Sequence, residues 1–157
     1  MHTFLTEQEL DYSIFVIEQT VNQTFNRGKL LNVGFIEAMK LYDWECILFH
    51  DVDLLPEDRR NLHLCPKRNP RHMAVAMDKY NYTLFYDGMF GTSSMFTIKQ
   101  YLAVNGHSNR YWGWGGEDDD LYTRTYLAGY DVERYNKTIA RYKMIKHKQD
   151  VQNPKNP

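Results

Sequence analysis

No apolar run in the sequence approaches the roughly 20 residues that a membrane-spanning helix needs, and no basic segment followed by an apolar stretch opens it. Within the residues given, neither a spanning helix nor a leader is expected. An excess of one charge sign is also missing, since 19 basic residues face 20 acidic ones and leave a formal net charge of -1. A phosphate backbone would meet no surplus positive field, which argues against a nucleic-acid partner. Cysteine is scarce, with only Cys46 and Cys65. Their spacing does not distinguish two buried thiols from a bonded pair. Repeats, low-complexity tracts and linker-like stretches are absent before the tail, where Asn153, Pro154, Asn156 and Pro157 are expected to break regular structure.

What is present fits one domain. In 157 residues, 43% are hydrophobic, enough for a substantial core. Aromatics reach 15%, including 12 Tyr and 3 Trp, and such rings suit both core packing and stacking on sugar faces. Three N-x-T sequons, at Asn22, Asn81 and Asn136, lean towards a secretory compartment.

Apolar periodicity predicts a short strand at 13–17 and a helix at 30–41, with Leu31, Phe35, Ala38 and Leu41 on one face. A strand over 46–49 runs into His50-Asp51-Val52-Asp53. That order predicts a βαβ unit and a parallel sheet. Another strand is expected at 73–77 and a loop-rich stretch at 106–116. A late helix follows from Asp118, with Gly129 just past its end.

Three groups of residues bear chemistry. Asp51 and Asp53 follow a buried strand, and an extended backbone would point both carboxylates to one side, towards Mg²⁺ or Mn²⁺ on a diphosphate. A D-x-D triplet is also a common solvated turn. Trp112-Gly113-Trp114-Gly115-Gly116-Glu117-Asp118-Asp119-Asp120 makes a poor core strand, because glycine brings no packing, and reads as a ligand-facing loop. Its carboxylates either cap a helix or include a general base. The helix N-terminus would lower the pKa of such a base, whereas neighbouring carboxylates and desolvation would raise it. Met144 and His147 would share a face if their stretch is helical. Chemistry alone nominates His147 as a ligand and discounts the soft sulfur of Met144.

Five motifs occur in order: Phe25-Asn26-Arg27, Phe49-His50-Asp51-Val52-Asp53, Val75-Ala76-Met77-Asp78-Lys79, the Tyr111 to Asp120 segment, and Met144-Ile145-Lys146-His147. Together they closely resemble the animal β-1,4-galactosyltransferase family, which includes β-1,4-N-acetylgalactosaminyltransferases, over nearly the whole chain. The resemblance implies an α/β fold of the GT-A nucleotide-sugar glycosyltransferase type, incomplete at both ends. Residues 1–150 would be the catalytic core without its first nucleotide-binding strand, and 151–157 the start of the segment that completes the acceptor pocket. It implies an inverting, Mn²⁺-dependent hexosyltransferase that moves GalNAc or Gal from UDP-GalNAc or UDP-Gal to the 4-hydroxyl of a GlcNAc-terminated glycan. The setting would be the Golgi lumen, reached by a type II membrane protein whose anchor this chain does not carry.

By the same resemblance, Asp118 matches the catalytic base, and Asp53, Met144 and His147 match the metal ligands, so the discounted Met144 returns. Phe25 and Arg27 match uracil contacts, and Lys79 a diphosphate contact. Asp51, Val52, Met89 and Glu117 match the donor side. Trp114 matches a mobile loop that closes over the nucleotide-sugar and, with Tyr86, Gly115, Gly116 and Asp119, also matches the acceptor face. Cys46 and Cys65 match a disulfide, which implies an oxidising compartment. There are departures. Met89 stands where vertebrate members usually carry Tyr, and Thr92-Ser93 replaces a Gly-Val pair, which leaves the donor open between Gal and GalNAc. The missing ends motivate a second reading, a catalytically incompetent sugar- or partner-binding remnant.

Overall fold

The computed structural model describes residues 1–148 and 153–156. After a short helix α1 (His2–Thr6) the chain runs without helix or strand to Asn26, whose side chain accepts the Lys29 N–H at 2.8 Å and caps α2 (Arg27–Met39). The strand expected at 13–17 does not form. Ile17 instead packs against α2 at Gly34, where a Cβ would meet it at 2.7 Å, and Phe15 lies edge-on to Trp44. A strand needs a partner for its N–H and C=O groups, and no ladder reaches 13–17 among the described residues.

Two small sheets form the centre. In the first, β1 (Cys46–His50) pairs antiparallel with β5 (Ser93–Thr97), from Cys46 opposite Thr97 to His50 opposite Ser93. Next to β5 lie β3 (Arg71–His72) and then β6 (Glu133–Arg134), giving the order β1-β5-β3-β6. The second sheet has the order β2-β7-β4, with β2 (Leu54–Pro56), β7 (Arg141–Met144) and β4 (Ala76–Met77). The expected βαβ unit of strand 13–17, helix 30–41 and strand 46–49 is therefore corrected, because its first strand does not form; among the described strands β3 with β6 and β4 with β7 pair parallel. A parallel neighbour requires a crossover, usually helical, whereas a single 3-10 turn at Asp78–Tyr80 is the only helical element between β1 and β5. The strand expected at 73–77 narrows to β4, although Met73, Ala74 and Val75 are all buried.

Thr97 ends β5 and starts α3 (Ile98–Ala103) through a capping box with Gln100. The late helix is α4 (Glu117–Leu127), and Gly129, at φ 84°, ends it as expected. Phe35, Phe49, Phe90, Phe96, Tyr101 and Leu121 fill the space between the helices and the first sheet, and Leu54, Met73, Met77, Met89, Met95 and Tyr142 lie between the sheets. Each such side chain contributes roughly 1.5–3 kcal/mol of burial.

Cys46 and Cys65 form a disulfide with Cα atoms 5.6 Å apart, so the free-thiol alternative is closed. The bond ties the start of β1 to the segment after β2 and encloses the Asp51 to Asp53 turn. Across a sequence separation of 19, Cys65→Ser should lower the unfolding free energy by about 3 kcal/mol, measured by urea denaturation against the oxidised parent. An unchanged midpoint would contradict that loop-closure account.

Candidate active site

The strand β1 stops at His50 because the next residues turn. Asp51 N–H still extends the ladder, to Thr92 O at 3.0 Å, and the turn closes after it where Leu54 N–H reaches Asp51 O at 3.3 Å. The expectation that Asp51 and Asp53 share one side of an extended strand is thereby corrected. Across the turn the two carboxylates diverge into separate clusters, with Val52 87% exposed at the tip.

Asp51 belongs to the first cluster. Its Oδ1 lies 2.6 Å from Arg27 Nη2, and Arg27 Nη1 lies 3.4 Å from Glu117 Oε1. Three elements meet on one guanidinium: the start of α2, the end of β1 and the first turn of α4. Burial opposes the Arg27 charge, and Asp51, Glu117 and Asp118 outweigh it, so the group stays protonated. On Glu117 the balance runs the other way, because burial raises its pKa more than Arg27 lowers it.

Asp118 accepts a first-turn N–H, but none of Glu117, Asp118, Asp119 and Asp120 is the N-cap residue of α4. Its N-cap is Gly116, at φ 92° and with no side chain to offer. Each acid is engaged separately. Asp119 Oδ1 accepts the Tyr86 hydroxyl at 2.7 Å, Asp120 pairs with Arg124 at 3.0 Å, and Asp118 Oδ1 accepts the Asp119 N–H at 3.1 Å. Burial first, and Asp119 second, hold Asp118 above the usual carboxylate range, against Arg27 and the N–H groups of Asp118 and Asp119, which lower it. Gly91 makes room for it. A Cβ at Gly91 would collide with the Asp118 carboxylate, so a glycine is needed there for space.

The second cluster gathers at the edge of the second sheet. Pairing of β2 with β7 sets Leu54 opposite Met144, and Ile145 N–H bonds to Asp53 O at 2.7 Å. His147 Nε2 then reaches Asp53 Oδ2 at 3.2 Å. The conditional helix at 144–147 is corrected: Met144 ends β7, and His147 arrives along a loop. No three His, Cys, Asp or Glu side chains gather as a metal site among the described residues. Asp53 and His147 still bring a carboxylate oxygen and an imidazole nitrogen together beside Met144, a donor set that fits a divalent transition ion.

The glycine-rich loop is held from two directions. Gly113 N–H bonds to Phe25 O at 2.7 Å, and Trp114 exchanges backbone bonds with Pro154 O and Asn156 N–H, each at 2.9 Å. The tail expected to be irregular thus forms a bridge, Trp114 with Lys155. Trp114 is 70% exposed, while Trp112 lies beneath Lys29 Nζ. Gly113, Gly115 and Gly116 all have positive φ, which glycine adopts without strain. Lys79 lies over the Tyr80 ring. Met89 is 5% exposed and sits in the core between the sheets. The proposed boundary between 1–150 and 151–157 falls on residues outside those described.

Two residues of the site escaped sequence reasoning. Asp78 accepts both the Met144 and Lys79 N–H groups, at 2.9 and 2.8 Å, and its place in Met77-Asp78-Lys79 was the available signal. For Gly91, whose value is the volume it leaves empty, the sequence carries no signal. Two open clefts beside α2, of about 210 and 760 Å³, exclude Asp53 and Asp118.

The α/β fold, with an acidic turn after a strand and a carboxylate-rich helix start facing a glycine loop, is that of GT-A type galactosyltransferase catalytic domains. Residues 1–66 match the family model described as the N-terminal region of glycosyl transferase group 7, and 71–148 match the one described as the N-terminal domain of galactosyltransferase. The chain is 53% identical over its whole length to human β-1,4-galactosyltransferase 3 and 48% identical to mouse β-1,4-galactosyltransferase 1. It spans 40% and 39% of those relatives. Among solved structures, the catalytic domain of Drosophila β-1,4-galactosyltransferase 7 in complex with xylobiose aligns at a TM-score of 0.77 and 38% identity, over 85% of this chain and 55% of that one. A mutant of the same Drosophila enzyme, in complex with manganese, UDP-Gal and xylobiose, aligns at 0.76 over the same shares. The chain belongs to the β-1,4-galactosyltransferase family.

One stability consequence follows from Asp118. Folding raises its pKa, so the folded chain holds this proton more tightly than the unfolded chain does. The associated stability is fully present below the unfolded pKa and is lost as pH rises through the folded one. Asp118→Asn, which cannot ionise, should therefore raise Tm at pH 7. The gain should vanish towards pH 3.5. Calorimetry at the two pH values checks the sign.

Proposed function

We propose that this chain forms the core of an inverting hexosyltransferase that moves Gal or GalNAc from a UDP-sugar to the 4-hydroxyl of a terminal GlcNAc or related sugar on a glycan. The observation that carries the reading is Asp118, a desolvated carboxylate of raised pKa in the niche left by Gly91, flanked by Asp119 and the Arg27 cluster. In one displacement, Asp118 takes the proton of the acceptor hydroxyl as that oxygen bonds to the anomeric carbon. The bond from that carbon to the UDP oxygen breaks, UDP leaves and the configuration inverts.

Tyr86 and Asp119, already bonded to each other, would orient the acceptor beside Gly115 and Gly116. Arg27, Asp51 and Glu117 would fix the donor side, with Phe25 and Lys79 on uracil and diphosphate and Trp114 covering them. Asp53, Met144 and His147 would hold Mn²⁺, which when bound offsets negative charge on the departing diphosphate. The manganese, UDP-Gal and xylobiose bound by the Drosophila relative support this assignment. A Golgi lumen setting agrees with the Cys46–Cys65 disulfide, since such bonds persist in oxidising compartments.

The test is transfer from UDP-Gal and UDP-GalNAc to GlcNAc, with and without Mn²⁺. It would be run on the chain and on a chimera carrying the flanking segments of β-1,4-galactosyltransferase 3. Asp118→Asn should lower the rate by about 10² to 10⁴ while leaving UDP-sugar binding in place. The acid limb of the parent's pH profile should lie above the ordinary carboxylate range. Asp53→Asn and His147→Ala should each weaken Mn²⁺ dependence sharply. Sugar binding without transfer in both forms would instead mark a binding remnant.

For the donor, we infer that Met89 biases the site towards GalNAc, because a flexible thioether yields space to an acetyl methyl where a tyrosine would crowd it. Met89 is buried in the core between the sheets, so this control would act from beneath the sugar and not through an open pocket wall. Met89→Tyr should shift the kcat/KM ratio of UDP-GalNAc over UDP-Gal towards galactose by about tenfold, the scale of one pocket contact. An unmoved ratio would remove Met89 as the selector.

A further inference from the structure

The strand that delivers Met144 outlasts its neighbour on one edge. β4 stops at Met77, opposite Tyr142, and the chain then folds into the 3-10 turn at Asp78–Tyr80, whereas β7 continues to Met144. A parallel ladder bonds every second residue of a strand to the same neighbour, so the next β7 donor facing that edge is the Met144 N–H, for which β4 has no carbonyl left. The Asp78 side chain takes the vacant place. Its Oδ1 accepts the Met144 N–H at 2.9 Å and, on the same oxygen, the Lys79 N–H at 2.8 Å. On the opposite edge Asp53 O accepts the Ile145 N–H at 2.7 Å. The exit of β7 is therefore pinned from both sides, just before the loop that brings His147 to Asp53 at 3.2 Å.

We infer that Asp78 is a positioning residue of the metal and diphosphate site: a single carboxylate oxygen holds the Met144 and Lys79 backbones in register, so that Met144 and His147 meet Asp53 as a set. It rests on the assignment of Asp53, Met144 and His147 to the metal proposed above, and adds what holds that set together. Both bonds come from backbone N–H groups, which require an acceptor and not a charge, and the amide oxygen of an asparagine would serve them as well. An alanine would not. The Met144 N–H would then lack a partner on that edge, in a residue packed against the core between the sheets. The exit of β7 would be held from the β2 side alone, and the three donors would lose their common geometry. Groups that orient metal ligands in this way typically carry about ten- to hundredfold in affinity.

The experiment is a Mn²⁺ titration of the chain, read by loss of the sharp EPR signal of the free ion, in the parent, Asp78→Ala and Asp78→Asn, together with amide hydrogen exchange in the absence of metal. Asp78→Ala should bind Mn²⁺ about ten- to hundredfold more weakly, and its Met144 amide should exchange faster. Asp78→Asn should stay within about threefold of the parent's affinity, the scale of exchanging a charged acceptor for a neutral one, and keep the Met144 amide protected. Unchanged exchange at Phe96 and Tyr101, in the core on the far side of the first sheet, verifies that each variant folds. Parent-like binding by Asp78→Ala would overturn the inference and leave the metal assignment intact. An equal loss in Asp78→Ala and Asp78→Asn would overturn it too, because the charge and not the bond would then matter. A parent that takes up no Mn²⁺, or uptake that survives both Asp53→Asn and His147→Ala, would overturn both.

Discussion

The acidic half of the site depends on one guanidinium. Arg27 lies where three carboxylates of two distant segments converge, and without its charge Asp51, Glu117 and Asp118 would face one another across a poorly solvated gap. Like charges in such surroundings resist ionisation. The clasp therefore does two things: it holds the end of β1 against the first turn of α4, and it sets how much negative charge the site sustains. Its own placement begins with the Asn26 cap, which starts α2 one residue before Arg27.

Local features of the sequence were legible because they are local. The helix expected at 30–41, the strand from Cys46, the helix after the glycine loop and its end at Gly129 follow from periodicity and backbone preference, whereas the Asn26 cap that starts α2 already at Arg27 was not read. Strand pairing was not. Which edge of β1 accepts β5 depends on 42 intervening residues, from 51 to 92, and no periodicity within either strand reports it. The same limit governs Ser13 to Ile17, a good strand by composition that finds no partner among the described residues.

The candidate site divides along the same line. The Tyr111 to Asp120 segment and the D-V-D turn marked the right residues, but the division of Asp51 and Asp53 into separate clusters needed the turn geometry. The direction of the Asp118 shift was a contest between dipole, neighbours and desolvation, decided by how deeply the carboxylate is set. Physical chemistry alone discounted Met144, while strand pairing brings its backbone beside Asp53. Asp78 is a further case. The motif contains it, and only the fold shows its carboxylate accepting from two backbones.

The covalent link between Cys46 and Cys65 also bears on the order in which the chain is made. Both cysteines emerge from the ribosome before Ser93 to Thr97, the strand that pairs with β1, does so. At about 5–20 residues per second, β1 waits a few seconds without that partner. Unpaired edges are where nascent chains associate wrongly. A crosslink that needs no later residue restrains β1 during this interval, so wherever synthesis runs into an oxidising compartment the bond guards the growing chain before it supports the finished one.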